Sequence, residues 1–413
     1  MGDCITSLAT YNNFAAKDAN RIIGQIGRVL ARKSPYINTI DGGTLPNVSD
    51  VVRSVVQEMA YPQASLAAPV FAADTQALCG SSASSDQVGS TEYQFQLETL
   101  RGAGPRVCVK VARTAFKGSY LQAQISLEKS ILQIINADIR YQYLLKSGLK
   151  YVSNSTQSFS SNLTGDMQAI NTPFALVQPN APMNFKTLYK IGTFMREEML
   201  AEPFGTKDGE FFMVIASADA IENFRNDADV KEDLVALTTG SFKLGEDSIK
   251  GYQFMGYRGF AFGIDQQPIR TNVGVITGAG PTQGQITPLN PITSFAIPGG
   301  QGTGFASRRN PAWVAAQYEV MFVVAGDAFK RLVPESYTGE GTFRFAPQLA
   351  MGELEWTYFR DNDCNLYGDF GQHIYQIQRA IQPIRPQNVC AVIYKRCPFD
   401  GLPLPCSTSV GGL

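Results

Sequence analysis

The chain has 413 residues, of which 44% are hydrophobic and only 17% charged, with a formal net charge of −1. Length and apolar content describe a globular protein with a large core, organised as one large domain or two to three smaller ones. The near-zero net charge, with no basic run of five or more residues, excludes a protein that grips nucleic acid or an anionic membrane through a global field. Charge falls below the ordinary level of about 25%, and Gln, Asn, Ser, Thr and Gly fill the gap. Such a surface either suits extensive protein–protein contact, whose cores are depleted in charge, or has no special meaning.

Phe14 to Lys33 reads as an amphipathic helix, with Ile22, Ile23, Ile26, Val29 and Leu30 spaced for one face. Pro35, Gly42, Gly43 and Pro46 then break the pattern, and Asp50 to Met59 is predicted as a short helical segment. Tyr61 to Ser90 is rich in Ala and Ser, low in charge, and reads as an extended arm.

A long hairpin is predicted next. Tyr93, Phe95 and Leu97 alternate with Glu92, Gln94, Gln96 and Glu98, and Val107, Val109 and Val111 alternate with Arg106, Cys108 and Lys110. With Arg101 to Pro105 as the loop, Leu97 faces Val109 and Phe95 faces Val111, which makes one face wholly apolar. Ten residues per arm reach roughly 33 Å. A two-stranded ribbon is marginal alone, so that face must lie against something.

Ser119 to Gly148 is predicted as a very long helix, with Leu121, Ile125, Leu132, Ile135 and Ile139 on one stripe and Gly148 as its stop. Thirty residues would span roughly 45 Å. Further helices are predicted at Asn184 to Leu200, with Asn184 as N-cap, and from a Ser217 cap to Arg225. Buried strands are predicted at Phe211 to Ala216 and Val320 to Val324, the second followed by a short helix ended by Pro334. Strands near Leu354 to Arg360, His373 to Ile381 and Val389 to Lys395 close the chain, and the sum is an α+β protein.

Catalytic chemistry is not evident. His373 is the only histidine, which removes most triads and most histidine metal sites. The run from Asp361 to Gln372 begins like a calcium loop, but Leu366 stands where Gly is needed and Gln372 where Glu is needed. Gly278 to Gly284 and Gly299 to Gly304 miss the phosphate-loop spacing and its Lys. The seven cysteines form no CxxC pair, which fits synthesis in a reducing compartment, with a late Cys397–Cys406 bond left open. No apolar run of 18 residues exists, so no membrane span is expected. No enzyme activity, metal or cofactor is expected.

An N-terminal arm, a long hairpin, a very long helix, a central α/β region and returning strands, in that order, resemble the major capsid protein of tailed bacteriophages, the HK-ninety-seven-type fold. Leu188 to Asp227 also resembles a helix, strand and helix run of these shells. The resemblance implies an N-terminal arm over 1–60, an extended arm and E-loop hairpin over 61–117, and a P-domain spine helix over 118–151. An A-domain over 152–333 and P-domain strands with a C-terminal tail over 334–413 complete it. It implies that Tyr93, Phe95, Leu97, Val107, Val109 and Val111 are buried between subunits, and that Leu121, Ile125, Leu132, Ile135 and Ile139 form the core of the spine. Burying four such hairpin side chains is worth about 6–12 kcal/mol before ordering costs; a hairpin folded on its own domain is the alternative.

The resemblance further implies a homo-oligomer of pentamers and hexamers in a virion capsid, assembled in the host bacterial cytoplasm around double-stranded DNA. Implied partners are a separate scaffolding protein, a portal and a cement protein, with weak non-specific contact to packaged DNA and none to membrane. Two other readings stay open: a subunit of an encapsulin-like compartment, and a hydrolase with an unrecognised acidic site.

Overall fold

The computed structural model describes residues 34–45, 51–59, 88–96, 98–103, 107–108, 133–161, 172–206, 209–225, 227, 259–292, 309–334, 342–344, 353–355, 357–358, 370–371 and 373–396. Strands β1 (Asp41–Leu45), β2 (Val51–Met59), β3 (Val88–Gln96), β4 (Glu98–Ala103) and β5 (Val107–Cys108) come first. Helix α1 over 133–146, β6 (Leu149–Val152), β7 (Ser158–Ser161), helix α2 (Phe185–Glu197), β8 (Phe204–Thr206) and β9 (Gly209–Ala216) follow. Then come helix α3 (Ala218–Arg225), β10 (Phe260–Ile264), β11 (Ile269–Thr271), the one-turn helix α4 (Pro311–Val314) and β12 (Tyr318–Val324). The remaining strands are β13 (Phe329–Pro334), β14 (Thr342–Arg344), β15 (Glu353–Glu355), β16 (Thr357–Tyr358), β17 (Phe370–Gly371), β18 (His373–Pro383) and β19 (Val389–Lys395).

The centre is an eight-stranded mixed sheet in the order β10-β9-β12-β19-β6-β7, with β11 added to β12 and β8 to β9. Its middle strands are near-continuous apolar runs, FFMVIA, VMFVV and VCAVIY, as strands covered on both faces require. Alternation sends Ile215, Phe322, Val324, Ala391 and Ile393 into one buried cluster and Val214, Met321, Val323, Val392 and Tyr394 into the other. Helix α1 covers the first face with Ile135, Ile139, Tyr143 and Leu144. Helices α2 and α3 cover the second with Leu188, Ile191, Met195, Ile221 and Phe224. The layers are therefore helix, sheet, helix, and the architecture is α+β.

Local signals explain the helix starts. Asn184 accepts the Thr187 N–H at 2.8 Å, and Ser217 Oγ accepts the Ala220 N–H at 3.2 Å, each satisfying an otherwise orphaned donor. Gly192 lets α2 sit close over β10, since a Cβ there would come 2.6 Å from the Phe260 ring.

A five-stranded sheet, β1-β13-β18-β16 with β4 on β18, stands beside the larger one. The last strand, β19, belongs to the larger sheet between β12 and β6, so a boundary near Val333 does not separate two sheets.

Four expectations change. The long hairpin exists as a ribbon, but β3 pairs antiparallel with β2, from Val51 opposite Gln96 to Met59 opposite Val88. Strand β4 pairs with β18 and β5 with β17, so among the described residues the 88–100 arm does not pair with Val107 and Cys108, and the rest of the expected 106–116 arm lies outside them. Residues 51–59, expected to be helical, are strand β2; four β-branched valines favour an extended chain. The short helix expected before Pro334 is strand β13, held between β1 and β18. Helix α1 ends at 146, and Gly148 serves close approach rather than as a left-handed stop. Its N–H donates to Pro386 O at 2.7 Å, and a Cβ would meet Gln387 N at 2.8 Å. The helix expected over Phe14 to Lys33, the N-terminal part of the long helix, the calcium-like run and the Cys397–Cys406 pair lie outside the described residues, apart from Phe370 and Gly371 of that run.

Candidate assembly surfaces

The β2–β3 ribbon is the first candidate. Each strand has nine residues, about 30 Å of extended chain, and the two are hydrogen-bonded to no other described strand. Of the sequence-predicted contact residues, Tyr93 stands opposite Ser54 and Phe95 opposite Val52. Val107 pairs with Gly371 in the separate β5–β17 pair. Leu97, Val109 and Val111 lie outside the described residues. Of the predicted spine residues, Ile135 and Ile139 are buried, whereas Leu121, Ile125 and Leu132 lie outside the described residues.

The second candidate is the segment entering β1. Its Tyr36, Ile37 and Ile40 are buried in the cluster that α1 covers. The Tyr36 ring meets Tyr143 at 6.1 Å and Phe322 at 6.3 Å. Its hydroxyl donates to Asp265 Oδ2 at 2.6 Å, while Arg140 holds the same carboxylate through Nε at 2.8 Å and Nη2 at 3.0 Å. Burial, reinforced by the Asp265 charge, pushes the Tyr36 hydroxyl well above its ordinary pKa. Burial opposes the charge on Arg140, yet Asp265 and Tyr36 outweigh it and raise its pKa. The tyrosine stays protonated and the guanidinium charged, so the trio fastens this segment to α1 and the β10–β11 turn and offers no proton to chemistry.

A third network surrounds Glu319, fully buried in β12. Register places Arg270 of β11 and Tyr394 of β19 directly opposite it. Its Oε1 accepts from Ser217 and Tyr394, and its Oε2 accepts from Arg270 Nε at 2.8 Å. Arg270 also lies 3.8 Å over the Trp313 ring, and Arg396 reaches Asp219 at 2.9 Å. Burial first, then Glu319, raises the Tyr394 pKa. Each Glu319 oxygen already accepts from a fixed donor, an arrangement that locks β11, β12 and β19 together. Apart from Ser217, read as a helix cap, these residues were missed from the sequence, although an acid at the head of an apolar strand was a visible signal.

An open cleft of about 490 Å³ beside α2 is lined by Tyr189, Arg196, Glu210 and Phe212. Its Arg196 and Glu210 pair at 3.7 Å and are more than half exposed, the geometry of a solvated ion pair rather than an acid–base couple. Among the described residues no group of three His, Cys, Asp or Glu side chains is placed to hold a metal, and no helix is long and apolar enough to cross a membrane.

No protein-family model and no curated protein sequence matches the chain. Solved structures do. The capsid of Ralstonia phage GP4 is similar over 89% of this chain and 92% of its own, at 12% identity and a TM-score of 0.53. The capsid asymmetric unit of Cyanophage Pam1 is similar over 88% and 93%, at 9% identity and a TM-score of 0.50.

The chain has the HK-ninety-seven-type capsid fold. The expected fold class therefore holds, although the hairpin pairing expected with it is not found among the described residues. Within this capsid fold the two buried polar networks sit where distant parts of the chain meet, at Tyr36–Arg140–Asp265 and at Ser217–Arg270–Glu319–Tyr394.

Proposed function

We propose that this chain is the major capsid protein of a tailed bacteriophage, assembling as pentamers and hexamers into an icosahedral shell around double-stranded DNA. The observation that carries this reading is the likeness, over 89% of the chain, to the capsid of Ralstonia phage GP4. The role is structural and not enzymatic.

In this reading the β2–β3 ribbon is the E-loop and lies over a neighbouring subunit. Tyr93 and Phe95 make that contact, with Leu97, Val107, Val109 and Val111 continuing it. A ribbon of two strands is marginal alone, and hydrogen bonding only within itself among the described strands supports an outside support for it. Helix α1 is the end of the P-domain spine, whose core includes Leu121, Ile125, Leu132, Ile135 and Ile139. The larger sheet is the core of the A-domain, and the smaller sheet belongs to the P-domain. A separate scaffolding protein, a portal and a cement protein are the partners, with assembly in the host cytoplasm. The near-zero net charge suits a wall that tolerates packaged DNA without binding it tightly, because each phosphate contact adds affinity.

Sedimentation velocity with negative-stain electron microscopy of the concentrated full-length protein, alone and with its scaffolding protein, tests the proposal. Fast-sedimenting closed shells are expected; a monomer under every condition would refute it.

A further inference from the structure

Strands β12 and β6 lie on opposite sides of β19, and among the described strands only β19 joins them by hydrogen bonds. Ile393 stands opposite Val320 of β12 in antiparallel register and opposite Val152 of β6 in parallel register. Without β19 the two would face each other across two strand spacings, roughly 10 Å.

Each half is tied together without that strand. On one side β12 pairs with β9, and β9 with β8 and β10, with α2 and α3 packed over them. On the other, β6 pairs with β7. Helix α1, which leads into β6, reaches β12 through its Tyr143 ring, 5.8 Å from Phe322.

The segment around β19 is also gripped at four corners by backbone. At its start, the Gly148 N–H donates to Pro386 O at 2.7 Å and the Ala325 N–H to Asn388 O at 2.8 Å. At its end, the Ser153 N–H donates to Ile393 O at 2.9 Å and the Arg396 N–H to Gln317 O at 2.7 Å. Gly148 and Ser153 directly flank β6, and Gln317 and Ala325 directly flank β12. Between the corners, Val389, Ala391 and Ile393 fill one buried cluster and Cys390, Val392 and Tyr394 the other.

We infer that residues 386–396 dock as a discrete insert into a slot between β12 and β6, and that the core of the single chain stays open until they enter. The mode is strand addition: main-chain bonds to both edges give affinity, and alternate side chains in two pockets give specificity. Register is checked as well. Glu319 in the slot wall accepts from Tyr394, and a slip of one residue would turn Tyr394 to the opposite face. Because β6 and β12 both precede β19 in the chain, the slot stands open during synthesis until the insert has been made.

The test uses full-length Val392→Pro, in which proline removes a ladder donor and blocks β19, and a labelled peptide of residues 386–396 with a lysine tail for solubility. Ala391→Asp, which buries a charge, gives a second blocked chain. Alone, each blocked chain should keep hydrogen-exchange protection in β9 and α2 and lose it in β6. Refolding with the peptide should restore β6. The peptide should bind the blocked chains at least about tenfold more tightly than the parent, whose own segment competes at an effective concentration on the order of millimolar. The peptide carrying Val392→Pro should not bind. Parent-like protection in both blocked chains would mean that β19 is not what joins the halves. Lost protection that the peptide does not reverse would mean that no slot exists without its strand. A peptide that binds blocked and parent chains equally, or binds neither, overturns the inference too.

Discussion

Tyr36 donates a hydrogen bond of 2.6 Å to Asp265 across a sequence separation of 229 residues. This contact fixes the segment before β1 beneath the central sheet. Tyr36→Phe keeps the ring and removes the hydroxyl, and should cost about 1 kcal/mol. Tyr36→Ala also empties a ring-sized space and should cost about 3–5 kcal/mol. Urea denaturation of the unassembled subunit measures both; equal stability of the Ala variant and the parent would mean that this segment is not part of the core.

Lys150 is buried in β6 with its ammonium 5.3 Å from the Phe174 ring, and burial lowers its pKa to about 8 from the ordinary 10.5. Below about pH 8 both the folded and unfolded chains carry the proton, and the folded state bears the full burial cost. Between about 8 and 10.5 the unfolded state binds more protons, so stability rises with pH. Lys150→Met should therefore stabilise the subunit at pH 7 by roughly 2–3 kcal/mol, a gain that shrinks as pH approaches 10.5. Parallel melts of both proteins across that range check the sign; a gain that grows with pH would contradict it.

Breaking the Glu319 network should be costly. Glu319→Ala leaves Arg270, Tyr394 and Ser217 without their common acceptor and should destabilise by about 3–5 kcal/mol. The double change Glu319→Leu with Arg270→Met removes both charges together and should cost less than Glu319→Ala alone. Chemical denaturation of the two variants makes the comparison, and additive losses would show that the pair is not coupled.

The legible parts of the fold are those set by nearest neighbours. Apolar runs marked β9, β12 and β19, and Asn184 and Ser217 marked the starts of α2 and α3. The ribbon was harder because its strands are joined through residues 60–87, far longer than the usual hairpin connection of two to five residues. A local loop at Arg101 to Pro105, with Gly102 and Gly104, offered a nearer partner for β3. Spacing misled at β2 as well: Val51, Val52, Val55 and Val56 fit one helical face, and only β-branching favours a strand. The Tyr36–Arg140–Asp265 trio was illegible for another reason, since no local pattern links a turn, a helix and a loop so far apart.

In the proposed reading the β2–β3 ribbon is the contact between subunits. Phe95→Asp should leave the subunit folded, with native-like circular dichroism, while removing fast-sedimenting shells, because a carboxylate buried between subunits without a partner costs several kcal/mol. Loss of the helix signal would place Phe95 in its own core, and normal shells would mean it is not an interface residue.

The most direct test is a cryo-electron-microscopy reconstruction of the assembled particle. A closed shell of pentamers and hexamers is expected, with β2–β3 of each subunit lying across its neighbour and Phe95 covered by the second chain. A particle in which that ribbon folds back on its own subunit, or an open oligomer without pentamers and hexamers, would contradict the account.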